Sequence, residues 1–171
     1  MKLSAELEST LKRAYEQAEV RKHEFITLEH ILLELTFDPD ASDILAGCGV
    51  DLDTLRDRLD EFMNDNMPPI ESEYLSEPQY SAGSQFVLRL AAMHAESADK
   101  PQINGGNILV SMFRVDESHA VYLLQEQGVN RYDVVRYLSH GGKEYSRQEK
   151  SISIAKTDPE GGQVSKDPLA E

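Results

Sequence analysis

The sequence predicts an all-α fold of eight helices, arranged as two four-helix repeats related by a pseudo-twofold axis. Three observations support this fold class. Apolar residues recur at the spacing of amphipathic helices from residue 1 to about residue 142. Residue types that favour helix N-termini stand where these apolar runs begin. The second half of the chain then repeats the pattern of the first at a nearly constant offset, which indicates an internal duplication.

Two helices are predicted before residue 36. The first has apolar residues at helical spacing with charged residues between them. The apolar residues are Leu7, Leu11, Ala14 and Ala18. The second is the segment TLEHILLEL, residues 27–35. Thr27 is a favourable N-cap for it, because its hydroxyl can accept a hydrogen bond from a free backbone N–H. Glu29 lies in the first turn, where a carboxylate interacts favourably with the helix dipole.

The third and fourth helices follow within FDPDASDILAGCG and VDLDTLRDRLDEFM. Asp38 is a candidate N-cap for the third helix, and Pro39 fits its first helical position. Two glycines, Gly47 and Gly49, are predicted to end it. The fourth helix has the predicted cap Asp51, the flanking staple residue Val50, and a buried stripe of Leu52, Leu55, Leu59 and Phe62.

A polar stretch separates the two predicted repeats. Residues 64–81 contain three prolines and four acidic residues, without Lys or Arg, which is typical of a surface connection. It divides a first repeat of about residues 1–63 from a second repeat of about residues 82–142. After residue 142 the apolar period is lost, and residues 143–171 have the polar, Gly- and Pro-punctuated composition of a flexible linker.

The second repeat preserves both the apolar stripe and the caps of the first. INGGNILVSM, residues 103–112, matches ITLEHILLEL, residues 26–35, at an offset of 77, with Asn104 in place of Thr27. Further on, the offset becomes 79, and Gly128-Val129-Asn130 matches Gly49-Val50-Asp51. Each copy has an apolar face too large to remain in water, so the two copies are expected to pack against each other with essentially no sheet.

Composition narrows the class of partner. The formal net charge is −14 and the isoelectric point about 4.7, so both the phosphate backbone of nucleic acids and anionic membranes should repel the chain. Proteins with basic patches are the favoured partners. Cys48 is the one cysteine, which excludes an intrachain disulfide and fits a buried thiol in a reducing cytoplasm. No apolar run is long enough to span a bilayer.

Three separated strings carry a family resemblance. RKHEFITLEHILLEL, VDLDTLRDRLDEFM and VNRYDVVRYLSHGG resemble the Clp N domain, and the resemblance is closest to ClpA-type unfoldases over about residues 1–142. It implies a protein-binding domain that docks the ClpS adaptor and substrate polypeptides for ATP-dependent proteolysis. It also implies that the ClpP peptidase is contacted only through ATPase modules, and that the isolated domain is a monomer, since hexamerisation belongs to the ATPase rings.

The sequence predicts no chemistry within the chain itself. It contains no G-x-x-x-x-G-K-[ST] motif, so nothing in it is expected to cradle nucleotide phosphates, and no catalytic residue or cofactor is assigned. In the family, ATP is bound by modules that follow the N domain. The resemblance therefore implies that residues 143–171 are the link toward such modules, absent from this sequence.

The candidate adaptor-binding residues are His23, Glu24 and Glu29. The resemblance implies that the two acidic positions face the adaptor, with His23 beside them, and complementary charge would steer the encounter and fix its register. An alternative role for Glu29 is the stabilisation of a helix dipole. The second repeat has Pro101 and Gly106 at the two acidic positions, so one adaptor per domain is expected.

Two other functions stay open at this point. The chain could be the N domain of a ClpC-like relative that is served by a different adaptor. It could also be a small metal-dependent enzyme built on His23, Glu29 and His30, whose side chains are metal-ligand types. The spacing is not that of HExxH, and no third strong ligand is evident, so no metal is assigned.

Overall fold

The computed structural model of the chain describes residues 2–140, apart from the side chain of residue 140. These residues form eight α-helices and four two-residue strands, which confirms the predicted all-α class. The helices are α1 (Ala5–Val20), α2 (Leu28–Leu35), α3 (Pro39–Gly47), α4 (Leu52–Asn66), α5 (Ala82–Ser97), α6 (Gly105–Met112), α7 (His119–Glu126) and α8 (Arg131–His140). The predicted linker, residues 143–171, lies outside the described residues.

Four short strands, which the sequence pattern did not indicate, pair segments that are far apart along the chain. They are β1 (Lys2–Leu3), β2 (Phe25–Ile26), β3 (Gln79–Tyr80) and β4 (Gln102–Ile103). β1 pairs in parallel with β4, and β2 pairs in parallel with β3. A strand of two residues is too short to show the alternation that identifies strands in a sequence.

The pairing of these strands follows the internal duplication of the chain. Adding the offset of 77 to β1 gives β3, and adding it to β2 gives β4, so each pair becomes the other when the repeats are swapped. The adjacent hydrogen bonds follow the same rule. The Ser4 N–H donates to the Ile103 carbonyl at 2.9 Å, and the Ser81 N–H donates to the Ile26 carbonyl at 3.1 Å. This correspondence supports the predicted pseudo-twofold relation.

Helices α2 and α6 lie at the centre of the domain. Every residue of α2 is buried, and so is every residue of α6 except Asn107. Helix α3 packs on α6 and α8 of the other repeat, and α7 packs on α2 and α4. The repeats therefore interlock through their third helices, and each buries the apolar face of the other. Among the described residues, no helix is both long and apolar enough to cross a bilayer.

The predicted helix caps are confirmed. The side chains of Thr27, Asp38 and Asp51 accept hydrogen bonds from the first-turn N–H groups of α2, α3 and α4. At the end of α3 the prediction was partly wrong. Gly49, with φ of 90°, follows the end of the helix, but Gly47 is still helical. Position 47 is glycine because the ring of Tyr137 occupies the space where a Cβ would lie.

Candidate docking surface

The turn that joins α1 to α2 is held by a Schellman motif. The His23 N–H donates to the Ala18 carbonyl at 2.8 Å, and the Lys22 N–H donates to the Glu19 carbonyl at 3.0 Å. These are the two hydrogen bonds that close such a helix end. Lys22 occupies the left-handed position with φ of 61°, where glycine is usual. Backbone hydrogen bonds therefore fix the turn that carries the candidate site.

Two buried histidines extend this turn toward the end of α4. The Thr27 N–H donates to Nδ1 of His30 at 3.0 Å, so that nitrogen is an acceptor and the ring proton is on Nε2. Nε2 of His30 lies 2.8 Å from Nδ1 of His23, which therefore accepts. Nε2 of His23 then donates to the Met67 carbonyl at 2.8 Å. Each bond sets the direction of the next, and both rings are neutral.

The surroundings of the two rings oppose protonation. Burial, the neighbouring His23 and the charge of Arg21 lower the pKa of His30 to about 3. Burial also lowers the pKa of His23, although its hydrogen bond to Met67 acts in the opposite direction. All four ring nitrogens are engaged, so neither ring offers a free lone pair to a metal. Within residues 2–140, no group of three His, Cys, Asp or Glu side chains is placed to hold one.

Glu29 lies in the interior, in contrast to the surface position expected from the sequence. It is 7% exposed, and its carboxylate accepts a hydrogen bond from the Ala120 N–H at 2.9 Å. Ala120 is in the first turn of α7, so the carboxylate stabilises the N-terminus of a helix in the other repeat. A dipole role was the alternative for Glu29, but the helix concerned is α7. The expectation of a surface carboxylate at Glu29 is therefore wrong for the domain by itself.

Packing at the equivalent interface explains why the second repeat has no carboxylate at the position that corresponds to Glu29. In the twofold-related position, the buried carboxylate of Asp38 caps α3 and lies against Gly105 of α6. A Cβ at Gly106, the counterpart of Glu29, would approach Ile44 to 2.8 Å. Each interface thus has one buried carboxylate, supplied by α2 in one case and by the α3 cap in the other. The asymmetry follows from packing and does not itself indicate a one-sided adaptor site.

Of the three predicted site residues, only Glu24 is exposed. His23 is buried, and Glu29 points toward α7, so the structure does not bring the three side chains together as a surface cluster. The residue that sequence reasoning missed is Phe25, which is 46% exposed beside Glu24. A signal was available: Phe25 and Ile26 are adjacent apolar residues, and successive side chains of an extended segment point to opposite sides. Burial of Ile26 therefore exposes Phe25.

The connection between the repeats forms backbone hydrogen bonds with this turn at two places. The Ile70 N–H donates to the Lys22 carbonyl at 2.9 Å, and the Gln79 N–H donates to the Glu24 carbonyl at 3.1 Å. Beside the turn is an open cleft of about 300 Å³, which is lined by Val20, Arg21, Lys22, His23, Asn64, Met67, Pro69 and Glu71. Backbone bonds on both sides hold Glu24 and Phe25 in a fixed orientation.

Comparison with known proteins agrees with this architecture. A family model described as the Clp repeat (R) N-terminal domain matches residues 2–127. The chain belongs to this family. A curated relative, the ClpA homolog protein of Fuscovulum blasticum, is 40% identical over 139 residues, which is 81% of this chain. The match spans 18% of that relative's length.

Solved structures of Clp-type N-domains share the fold. The N-domain of ClpV from Vibrio cholerae has a TM-score of 0.69 and 21% identity, with 84% of this chain and 86% of that chain covered. The N-terminal domain of ClpD from Arabidopsis thaliana has a TM-score of 0.61 and 19% identity, with 81% and 95% covered. At these identities the likeness establishes the fold alone.

Proposed function

We propose that this chain is the N-terminal docking domain of a Clp-type AAA+ ATPase, without chemistry of its own. It docks an adaptor of the ClpS type at the α1–α2 turn and also contacts substrate polypeptides. Membership of the Clp N-domain family and the similarity to a ClpA homolog support this function. The ATPase modules and the peptidase they serve belong to the proposal, because the chain matches only 18% of its relative's length.

The observation that carries the proposal is the exposed pair Glu24 and Phe25 on a turn fixed by backbone hydrogen bonds. A preorganised surface loses little conformational entropy on binding. An aromatic ring supplies the desolvated apolar contact that typically dominates affinity, whereas a neighbouring carboxylate selects a basic partner and steers its approach. Glu24 and Phe25 are therefore the residues that contact the adaptor, and His23 and Glu29 hold the turn and the α2–α7 contact in place.

Peptide binding by the fold supports the general class. One solved structure with the same fold is a complex of the ClpV N-domain with a VipB peptide, with a TM-score of 0.65 and 22% identity. It shows that a domain of this architecture can receive a segment of another protein. For the present chain, the choice of a ClpS-type adaptor rests on the similarity to a ClpA homolog, and the exposed pair on the α1–α2 turn supports the place of docking.

Calorimetric titration of the domain with a ClpS adaptor tests the proposal. We expect a 1:1 complex that Glu24→Lys weakens at least tenfold, with a smaller dependence of affinity on salt. Phe25→Ser should weaken it at all salt concentrations. Glu117→Lys is the matched control, because it makes the same charge change at an exposed residue of the second repeat. Unchanged affinity in both turn variants would place the adaptor elsewhere.

Two further experiments test the structural role of Glu29 and the branch of the family to which the chain belongs. Glu29→Gln should lower stability while leaving the adaptor affinity of the folded domain unchanged, because its carboxylate is used inside the domain. A parallel titration with an adaptor of ClpC-like proteins distinguishes the two branches of the family. Binding of that adaptor in preference to the ClpS type would reassign the partner while retaining the docking function.

A further inference from the structure

The outer face of α5 has an apolar stripe that is partly exposed to solvent. Phe86, Leu90 and Met93 recur at helical spacing; Phe86 and Met93 are 41% and 61% exposed, and Leu90 is half-buried. Arg89 lies on the same face, so the four positions follow the i, i+3, i+4, i+7 spacing of a helix that packs on another helix. The opposite face of α5 already packs on α6.

The twofold-related helix has no such stripe. At the offset of 77, the four corresponding residues of α1 are all polar: Ser9, Lys12, Arg13 and Glu16. The two helices have equivalent places in the fold, with α1 packed on α2 and α5 packed on α6. The internal packing is therefore compatible with a polar outer face, and the exposed apolar side chains of α5 are not needed to complete it.

Arg89 differs from the arginines of the first repeat. Each of those four forms an ion pair with a carboxylate: Arg13 with Glu34, Arg21 with Asp60, Arg56 with Asp53, and Arg58 with Glu126. Arg89 is exposed and, like Arg114 and Arg131 of the second repeat, forms no ion pair with a carboxylate among residues 2–140, although the chain has a net charge of −14. What distinguishes Arg89 is its position within the apolar stripe of α5. An unpaired guanidinium within an apolar stripe is suited to a carboxylate supplied by another molecule.

We propose that the outer face of α5 docks an amphipathic helical segment of another protein that carries apolar anchors and one carboxylate. The anchors cover Phe86, Leu90 and Met93, and the carboxylate pairs with Arg89. A segment with many carboxylates is disfavoured, because the remaining surface of this acidic chain repels it. This site is separate from the α1–α2 turn, so a failure of adaptor docking at the turn would not affect the proposal for α5.

The probe is a synthetic amphipathic peptide with leucines at helical spacing and Glu as its single charged residue. The chain is labelled with ¹⁵N and titrated with this peptide. We expect the shifted amide signals to centre on α5, and the affinity to fall at least tenfold in the variant F86S/M93E, which gives α5 the residues of α1. Tyr132→Ser is the control, because it removes an aromatic ring from α8 that is 62% exposed, more than that of Phe86.

Charge exchange tests the role of Arg89. Arg89→Glu should weaken binding of the Glu peptide, and a peptide with Lys in place of that Glu should recover the affinity. Shifts centred away from α5, no detectable binding, or unchanged affinity in F86S/M93E would overturn the proposal. So would self-association of the wild-type chain in sedimentation that F86S/M93E abolishes, because the stripe would then be covered by a second copy.

Discussion

The buried histidine pair predicts how the stability of the domain depends on pH. The folded pKa of His30 is about 3, whereas a histidine in the unfolded chain titrates near 6.5. Below about pH 6.5 the unfolded chain takes up a proton that the folded chain cannot accept. The folded state therefore has its full stability above about pH 6.5 and loses it progressively as the pH falls toward 3.

The magnitude follows from the two pKa values. Between pH 7 and pH 5, His30 alone should lower the free energy of unfolding by about 2 kcal/mol, from linkage of one proton across that range. His23 acts in the same direction, because its pKa is also lowered. Burial raises the pKa of Glu34 and Asp40, and these carboxyls act in the opposite direction as the pH falls.

The assay is urea unfolding at a series of pH values between 7 and 5, for the wild-type chain and for His30→Asn. Asn is the matched replacement, because Asn107 occupies the equivalent position and forms the same capping box with Asn104. The variant keeps the two carboxyls, so the difference in slope reports the buried histidine pair, because His30→Asn also removes the hydrogen-bond partner of Nδ1 of His23. Parallel pH profiles for the two proteins would refute the assignment of a neutral, acid-resistant His30.

Two other predictions concern the contacts between the repeats, and urea unfolding at neutral pH measures both. Glu29→Ala leaves the buried Ala120 N–H without an acceptor and should cost about 1–3 kcal/mol; a loss within experimental error would mean that the bond is not needed. Gly105→Ala forces a methyl group into the buried carboxylate of Asp38 and should cost about 1–3 kcal/mol, whereas Gly83→Ala, whose methyl group meets only ordinary contacts, should be neutral or stabilising.

Local chemistry explains why much of the fold could be predicted. The N-caps Thr27, Asp38, Asp51 and Asn104 act on the backbone within three residues of themselves, so their roles can be inferred from neighbouring letters. The duplication was detectable for the same reason, because stripe and caps recur together at a fixed offset. The paired two-residue strands escaped prediction, since they join segments that are far apart along the chain.

The candidate site was predicted less well than the fold. Glu24 is exposed as expected. The ring nitrogens of His23, however, form hydrogen bonds with His30 and with the Met67 carbonyl, and the carboxylate of Glu29 accepts one from Ala120, which is 91 residues away along the chain. Polar residues near each other in the sequence suggested one cluster. Whether a polar side chain faces water or an internal partner depends on which other element packs over it, and neighbouring letters do not contain that information.

The sequence by itself determined the helices, their caps, the internal repeat and the membership of the Clp N-domain family, because these depend on short-range spacing and on the order of motifs. Only the tertiary structure decided which residues remain available to a partner. The third helix of each repeat packs on the second helix of the other, and this interlocking buries Glu29 and leaves Phe25 and the outer face of α5 in solvent. Periodicity identifies an apolar face, but contacts across the chain determine whether that face is covered.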